Sequence, residues 1–299
     1  VPAEADAPQT CAPAGSPCVL LPTASAATTD GDWRGELVES VAGSARPLDD
    51  GSFRYTTAGV AVFSGTIEGC GSGTLTIASN ADRSIGAAAD DPADASSWWI
   101  VDGGGSGDLA EASGRGTFSG GITDAGFTSQ YEGTFSCTGG APGPTDESST
   151  GGSSSTFTFD LPVAAAGTPT CTSDGAGCVA SQGTTTELTG DWTGTAAIGV
   201  GVVAQPDEPS SVITDGLLVF DGEIAACGTG TVVLRRFVDL TIDPATFATG
   251  AELVETSSWR IVEGYGTGQL ATVAGSGTVS TVSDGSSLTA TYTGEVSCG

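Results

Sequence analysis

Short apolar runs of alternating character, separated by glycine, aspartate and serine, recur along the whole chain. Gly59–Ile67, Gly73–Ile77, Ser97–Val101 and Phe127–Phe135 are rich in Val, Ile, Thr, Phe or Trp, and turn-forming residues bound each of them. Period-two alternation in runs of this length predicts half-buried strands and leaves little room for helix. Asp90–Ala95 and Pro244–Val254 are the places where a helical turn or a long loop is expected. Seven or eight antiparallel strands in about 125 residues predict a closed barrel or a sandwich, arrangements that dispose of open sheet edges. The expected fold class is all-β.

The pattern occurs twice. Cys11 and Cys18 recur as Cys171 and Cys178, and Gly31-Asp32-Trp33 recurs as Gly190-Asp191-Trp192. Gly69-Cys70-Gly71 answers Ala226-Cys227-Gly228, and the closing Tyr131 to Cys137 answers Tyr292 to Cys298. A kept order of landmarks at one spacing is the mark of a tandem duplication. It divides the chain into a first barrel or sandwich-like repeat at 1–138, a Gly/Ser/Thr-rich linker at 139–170 and a second repeat at 171–299. All four cysteines recur in register, so the expected disulfides stay within each repeat: Cys11 with Cys18, Cys70 with Cys137, Cys171 with Cys178, and Cys227 with Cys298.

The second half of each repeat, Trp98–Phe135 and Trp259–Val296, carries Trp-x-Ile-Val-x-Gly-x-Gly-Ser/Thr-Gly-x-Leu-Ala, then Gly-x-Gly-Thr, then a closing Tyr-x-Gly strand. This run resembles the small bacterial β-barrels related to allene oxide cyclase. The resemblance implies a barrel and, as in the cyclases among those proteins, an apolar cavity in which a substrate is folded. It brings no shared catalytic motif onto numbered residues here. The four cysteines per repeat depart from the intracellular members.

Composition narrows the chemistry. The chain has no histidine, and all eight basic residues are arginine. Ser-His-Asp and Cys-His nucleophile pairs, imidazole metal sites, lysine Schiff bases and P-loop amines are thereby excluded. Against 36 acidic residues the formal charge is −28, a surface unsuited to nucleic acid. Such repulsion opposes close association unless salt screens it or cations bind between carboxylates, so a saline or calcium-containing exterior suits the chain. Eight cysteines read as disulfides of an oxidising, extracellular compartment. Val1 follows no initiator methionine or apolar leader, as expected of a mature chain freed of its signal peptide. No apolar run reaches the roughly 18 residues of a membrane span. The Ser/Thr-rich stretch Thr145–Thr158 offers hydroxyls for O-linked sugar.

Four of the five tryptophans, Trp33, Trp98, Trp192 and Trp259, recur in register, as core packing requires, although a sugar-stacking platform or a cavity wall would use them too. Trp99 is replaced by Arg260 in the second copy and is expected to face outward as a ligand contact. Asp90, Asp91 and Asp94 share a loop, and Asp49-Asp50-Gly51 forms another acidic turn. Carboxylates can hold calcium, the one cofactor considered, but neither group has the spacing of a known calcium loop, and solvated acidic loops are the simpler reading. No paired carboxylates stand out for glycoside hydrolysis, and no catalytic residue is assigned.

Thr156–Val163 in the linker sets Phe157, Phe159, Leu161 and Val163 on one face of a strand, with Pro162 confining it to an edge. The stretch Val1–Thr10 shows no matching alternation, so the two repeats cannot both own such a strand. Pairing of that strand with one barrel leaves the equivalent place on the other for a second molecule, giving a head-to-tail homopolymer by strand addition. Equally, the strand covers an edge within its own chain. The leading expectation is a non-enzymatic extracellular structural protein, the subunit of a surface filament or layer. A secreted binding module for an apolar ligand or a glycan comes second, and a cyclase-like barrel enzyme third.

Overall fold

A computed structural model describes residues 9–11, 18–48, 52–85, 95–123, 126–138, 153–162, 168–205, 210–242, 253–283 and 287–299. Two antiparallel sheets account for nearly all of them. The first holds, in sequence order, β1 (Gln9–Cys11), β2 (Cys18–Thr29), β3 (Trp33–Pro47), β4 (Phe53–Ile67), β5 (Gly71–Ile85), β6 (Ala95–Gly105), β7 (Ser113–Thr123) and β8 (Gly126–Ser136). The second begins with the linker strand β9 (Ser153–Pro162) and continues through β10 (Thr170–Cys171), β11 (Cys178–Gly190), β12 (Trp192–Gln205) and β13 (Ser210–Ile224). It ends with β14 (Gly228–Ile242), β15 (Val254–Ile261), β16 (Ala274–Ser283) and β17 (Ser287–Ser297).

In the second sheet β9 pairs with β17 along ten positions and with β11 at Thr158 and Phe157, closing an eight-stranded barrel. The second domain therefore starts at Ser153, within the stretch read as linker. The first sheet is the same barrel one strand short. Its seven long strands run from β2 to β8, and among the described residues nothing joins those two edges. Of the segments expected to hold a helical turn or a long loop, Asp90–Ala95 and Pro244–Val254, residues 90–94 and 244–252 lie outside the described residues, and Ala95 and Val254 already open β6 and β15.

The duplication holds in detail. The Ser72 amide donates to Asp108 Oδ2 at 3.0 Å, and the Thr229 amide donates to Gln269 Oε1 at 2.9 Å. Thr74 and Ser106 share a 2.6 Å hydroxyl contact, as do Thr231 and Thr267. The three disulfides described, Cys70–Cys137, Cys171–Cys178 and Cys227–Cys298, are those expected from register. Cys11 and Cys18 stand opposite each other, as Cys171 and Cys178 do.

Aromatic residues fill the barrels. In the second, Trp192, Trp259, Phe220, Tyr292 and Phe157 are all fully buried in one cluster with aliphatic side chains. Trp98 in the first barrel lies beside Gly116 on β7, itself opposite Gly133 on β8, and Trp259 lies in the same way beside Gly277 and Gly294. A Cβ at Gly294 would come 2.6 Å from Trp259 Cζ2, so these glycines make the room that an indole needs against the sheet.

β3, β4, β12 and β13 are buried on both faces. Phe63 and Ala61 of β4 point into the first barrel, while Val60, Val62 and Ala58 point out against the second. The barrels thus share a second apolar core, in which Val38, Val60, Val62, Trp99 and Val101 meet Val179, Val203, Ile213 and Phe237. Ala42 and Ala58 meet Leu217, Val219, Val233 and Tyr265 in the same way. Trp99 corrects the sequence reading: it faces outward from its own barrel, but the second barrel covers it to 7 % exposure and Phe237 packs edge-on at 5.8 Å. Serine and acidic contacts rim this joint, with Ser40 Oγ 2.8 Å from Ser181 Oγ and Ser64 donating to Asp174 at 2.7 Å.

Candidate functional site

The two repeats differ most at the place that β9 fills in one of them. In the second barrel Phe157 stacks between Trp192 (4.4 Å) and Tyr292 (4.6 Å) and meets Trp259 edge-on at 5.9 Å. Trp192 Nε1 donates to Ser155 Oγ at 2.8 Å, and the Thr156 amide donates to Asp191 Oδ2 at 2.8 Å, pinning the strand immediately before Phe157. Burying three or four rings against one another in offset and edge-on pairs adds about 0.5–1.5 kcal/mol per pair to the area removed from water.

The first barrel keeps the acceptor, and among the described residues no side chain takes the place of Phe157. Trp33, Phe63, Trp98 and Tyr131 stand where Trp192, Phe220, Trp259 and Tyr292 stand, and Phe135 leans on Trp33 at 5.3 Å in place of the smaller Val296. The consequence shows at the tyrosines: Tyr292 is 0 % exposed and Tyr131 is 42 % exposed. Ser25 to Thr28 on the facing edge of β2 are exposed as well.

The far end of the first barrel is polar where the second is apolar. Glu39, Tyr55 and Arg83 take the places of Ile198, Val212 and Leu240. Arg83 donates to the Gly120 carbonyl at 3.0 Å and lies over the Phe118 ring at 5.7 Å. Burial raises the Glu39 carboxyl above its ordinary value, and the Ser25 hydroxyl, donating at 3.1 Å, offsets part of that. Sequence reading missed these residues because only the comparison of equivalent inward positions separates them from surface charges.

Of the residues singled out from sequence, Phe157 and its strand are taken up within the chain, in the second barrel. Phe159 and Leu161 continue that strand opposite Ala290 and Leu288, and Val163 lies outside the described residues. Asp90, Asp91 and Asp94, like Asp49-Asp50-Gly51, also lie outside them. Among the described residues no group of three or more carboxylates or cysteines is placed to hold a metal ion, and no helix is long and apolar enough to cross a membrane. Trp98 and Trp259 are packed core residues. No protein-family model, curated protein or solved structure matches the chain.

Proposed function

We propose that this chain is an extracellular structural protein, the subunit of a surface filament or layer, whose copies join by β-strand addition at the open side of the first barrel. One observation carries the reading: of two copies of one domain, the second is closed by an eighth strand, and the first presents the same aromatic acceptor between two edges that are unpaired among the described residues. Long unpaired edges are ordinarily covered, charged or shortened, because they template pairing with another chain. The edges on offer are different strands, β8 and β2. Pairing of β8 on one copy with β2 on the next is a heterologous contact, which propagates as an open row.

Other features fit. Disulfides belong to an oxidising compartment, and fusion of the barrels through a shared apolar core gives a stiff unit. The charge of −28 makes joining depend on salt or divalent cations. The filled interior of the second barrel argues against an apolar ligand cavity there.

Negative-stain microscopy and light-scattering mass, in low and high salt with and without calcium, test the proposal. Rows of constant repeat at high salt are expected. A peptide of the Ser153–Pro162 sequence in excess should occupy the acceptor and stop growth, and the same peptide with Phe157→Ala should not. A monomer under every condition would overturn the reading. So would a polypeptide extended upstream of Val1 that closes the first barrel itself and stays monomeric.

A further inference from the structure

Four of the eight arginines stand in two directly opposed cross-strand pairs, Arg46 with Arg54 on β3 and β4, and Arg235 with Arg260 on β14 and β15. Like charges in that relation destabilise a sheet. In a chain of net charge −28 with no lysine, concentrating half of the positive charge in two such pairs calls for a reason. Both pairs converge on the same segment between the barrels. Arg46 donates to the Gly264 carbonyl, and the Arg54 guanidinium fills the space that a side chain on Gly264 would need. A cleft of about 410 Å³ opens there, lined by Arg54, Asp82, Arg235, Arg260, Glu263 and Tyr265 among others.

The duplication shows that the fold does not need these groups. At the equivalent positions the first repeat has Ala78 for Arg235, Trp99 for Arg260 and Gly104 for Tyr265. All three changes toward polar side chains line one cleft. Two of them are buried with donors left over: Tyr265 is 1 % exposed and its hydroxyl has no partner among the described residues, and Arg235 Nε has none either. The rest of the Arg235 guanidinium is held firmly, with Nη2 donating to Thr56 Oγ1 at 2.7 Å, to the Ala81 carbonyl at 2.8 Å and to Asp82 at 2.7 Å. Arg54, Arg83, Arg235 and Arg260 thus line the cleft with two carboxylates, Asp82 and Glu263. Asp215, buried in the second barrel's outer face, does little to balance them, because burial pushes its carboxyl well up toward the neutral form against the pull of Arg235.

We propose that this inter-barrel cleft binds a small ligand through an oxyanion group, a carboxylate, sulfate or phosphate. Guanidinium forks match such groups two bonds at a time, and the exposed Arg260 and half-buried Arg54 reach the group from opposite barrels. Tyr265 supplies a neutral donor, and the volume holds a sugar ring beyond the oxyanion itself, so an acidic saccharide is the ligand class of best fit.

Isothermal titration of the full chain with sodium sulfate, sodium glucuronate and neutral glucose, at ionic strength matched with sodium chloride, tests this. Saturable binding of sulfate or glucuronate and none of glucose is expected. Glucuronate binding tighter than sulfate identifies a sugar acid, and the reverse order a free ion. Arg54→Gln and Arg260→Gln should each weaken binding at least tenfold, with Arg115→Gln, on an exposed strand elsewhere, without effect. R260W, which places at 260 the residue type the first repeat has there, serves as a second variant and should also lose binding. No saturable binding of either anion, or affinities unchanged in R54Q and R260Q with native near-ultraviolet dichroism, would overturn the proposal.

Discussion

At the scale of single residues, the barrels rest on what glycine permits beside tryptophan. Gly294 faces Gly277 across β16 and β17, and a methyl group on it would collide with the Ser276 carbonyl and with Trp259. Both neighbours are fixed, one as backbone and the other as a fully packed indole, so neither can give way. Gly294→Ala should cost about 1–3 kcal/mol by overpacking, read as a lowered urea midpoint with unchanged slope. A charged residue at the joint makes a prediction about pH. Asp174 accepts hydrogen bonds from Thr172 Oγ1 at 2.7 Å, the Ala176 amide at 3.0 Å and Ser64 Oγ at 2.7 Å, which hold its carboxyl down at about 2. A depressed folded value means that the contribution is present above the ordinary value of 3.8 and is lost as pH falls through about 2. A carbon-detected titration of Asp174 should therefore have its midpoint near 2, and a midpoint near 4, about the free carboxylate value, would show that the hydrogen bonds from Thr172, Ala176 and Ser64 are not held in solution.

At the scale of elements, the first repeat is an open arc among the described residues, and the second is closed into a barrel by β9. Phe157 is its anchor, enclosed by Trp192, Tyr292 and Trp259. Phe157→Ala should remove about 3–5 kcal/mol from the second barrel. Hydrogen exchange should then speed up along β17 and β11 and leave β3 to β5 unchanged; uniform loosening of both sheets would contradict a local role. The strand itself was legible, since Phe157, Phe159 and Leu161 alternate with polar residues in a chain segment free of glycine. Its partner was not, because alternation reports a face and says nothing about which distant edge receives it. The disulfides were legible for the opposite reason: cysteine positions repeat in register, and register survives folding. Closing loops of 67 and 71 residues, Cys70–Cys137 and Cys227–Cys298 each restrict the unfolded chain by about 4 kcal/mol on the loop-entropy account.

At the scale of the molecule, the two barrels form one body, and here the hydrophobic pattern held a signal that alternation hides. Ala58-Gly59-Val60-Ala61-Val62-Phe63 and Leu217-Leu218-Val219-Phe220 are continuously apolar, as strands buried on both faces must be. Reading them as half-buried strands accounts for the barrel interiors and misses the joint; the same error turned Trp99 toward solvent. Trp99 packs on Phe237 amid Val38, Val60, Val101 and Ile213, so its replacement by alanine leaves an indole-sized void between the barrels. Trp99→Ala should cost about 3–5 kcal/mol, nearly all of it at the joint. In calorimetry the wild-type chain should unfold in one transition, because neither barrel can expose its outer apolar face without losing the other. The variant should split that transition in two, the open first barrel melting before the closed second. A single transition, merely shifted down, would place the coupling in the Arg235–Asp82 and Ser64–Asp174 contacts instead, and two transitions already present in the wild type would refute the shared core as the element that joins the barrels.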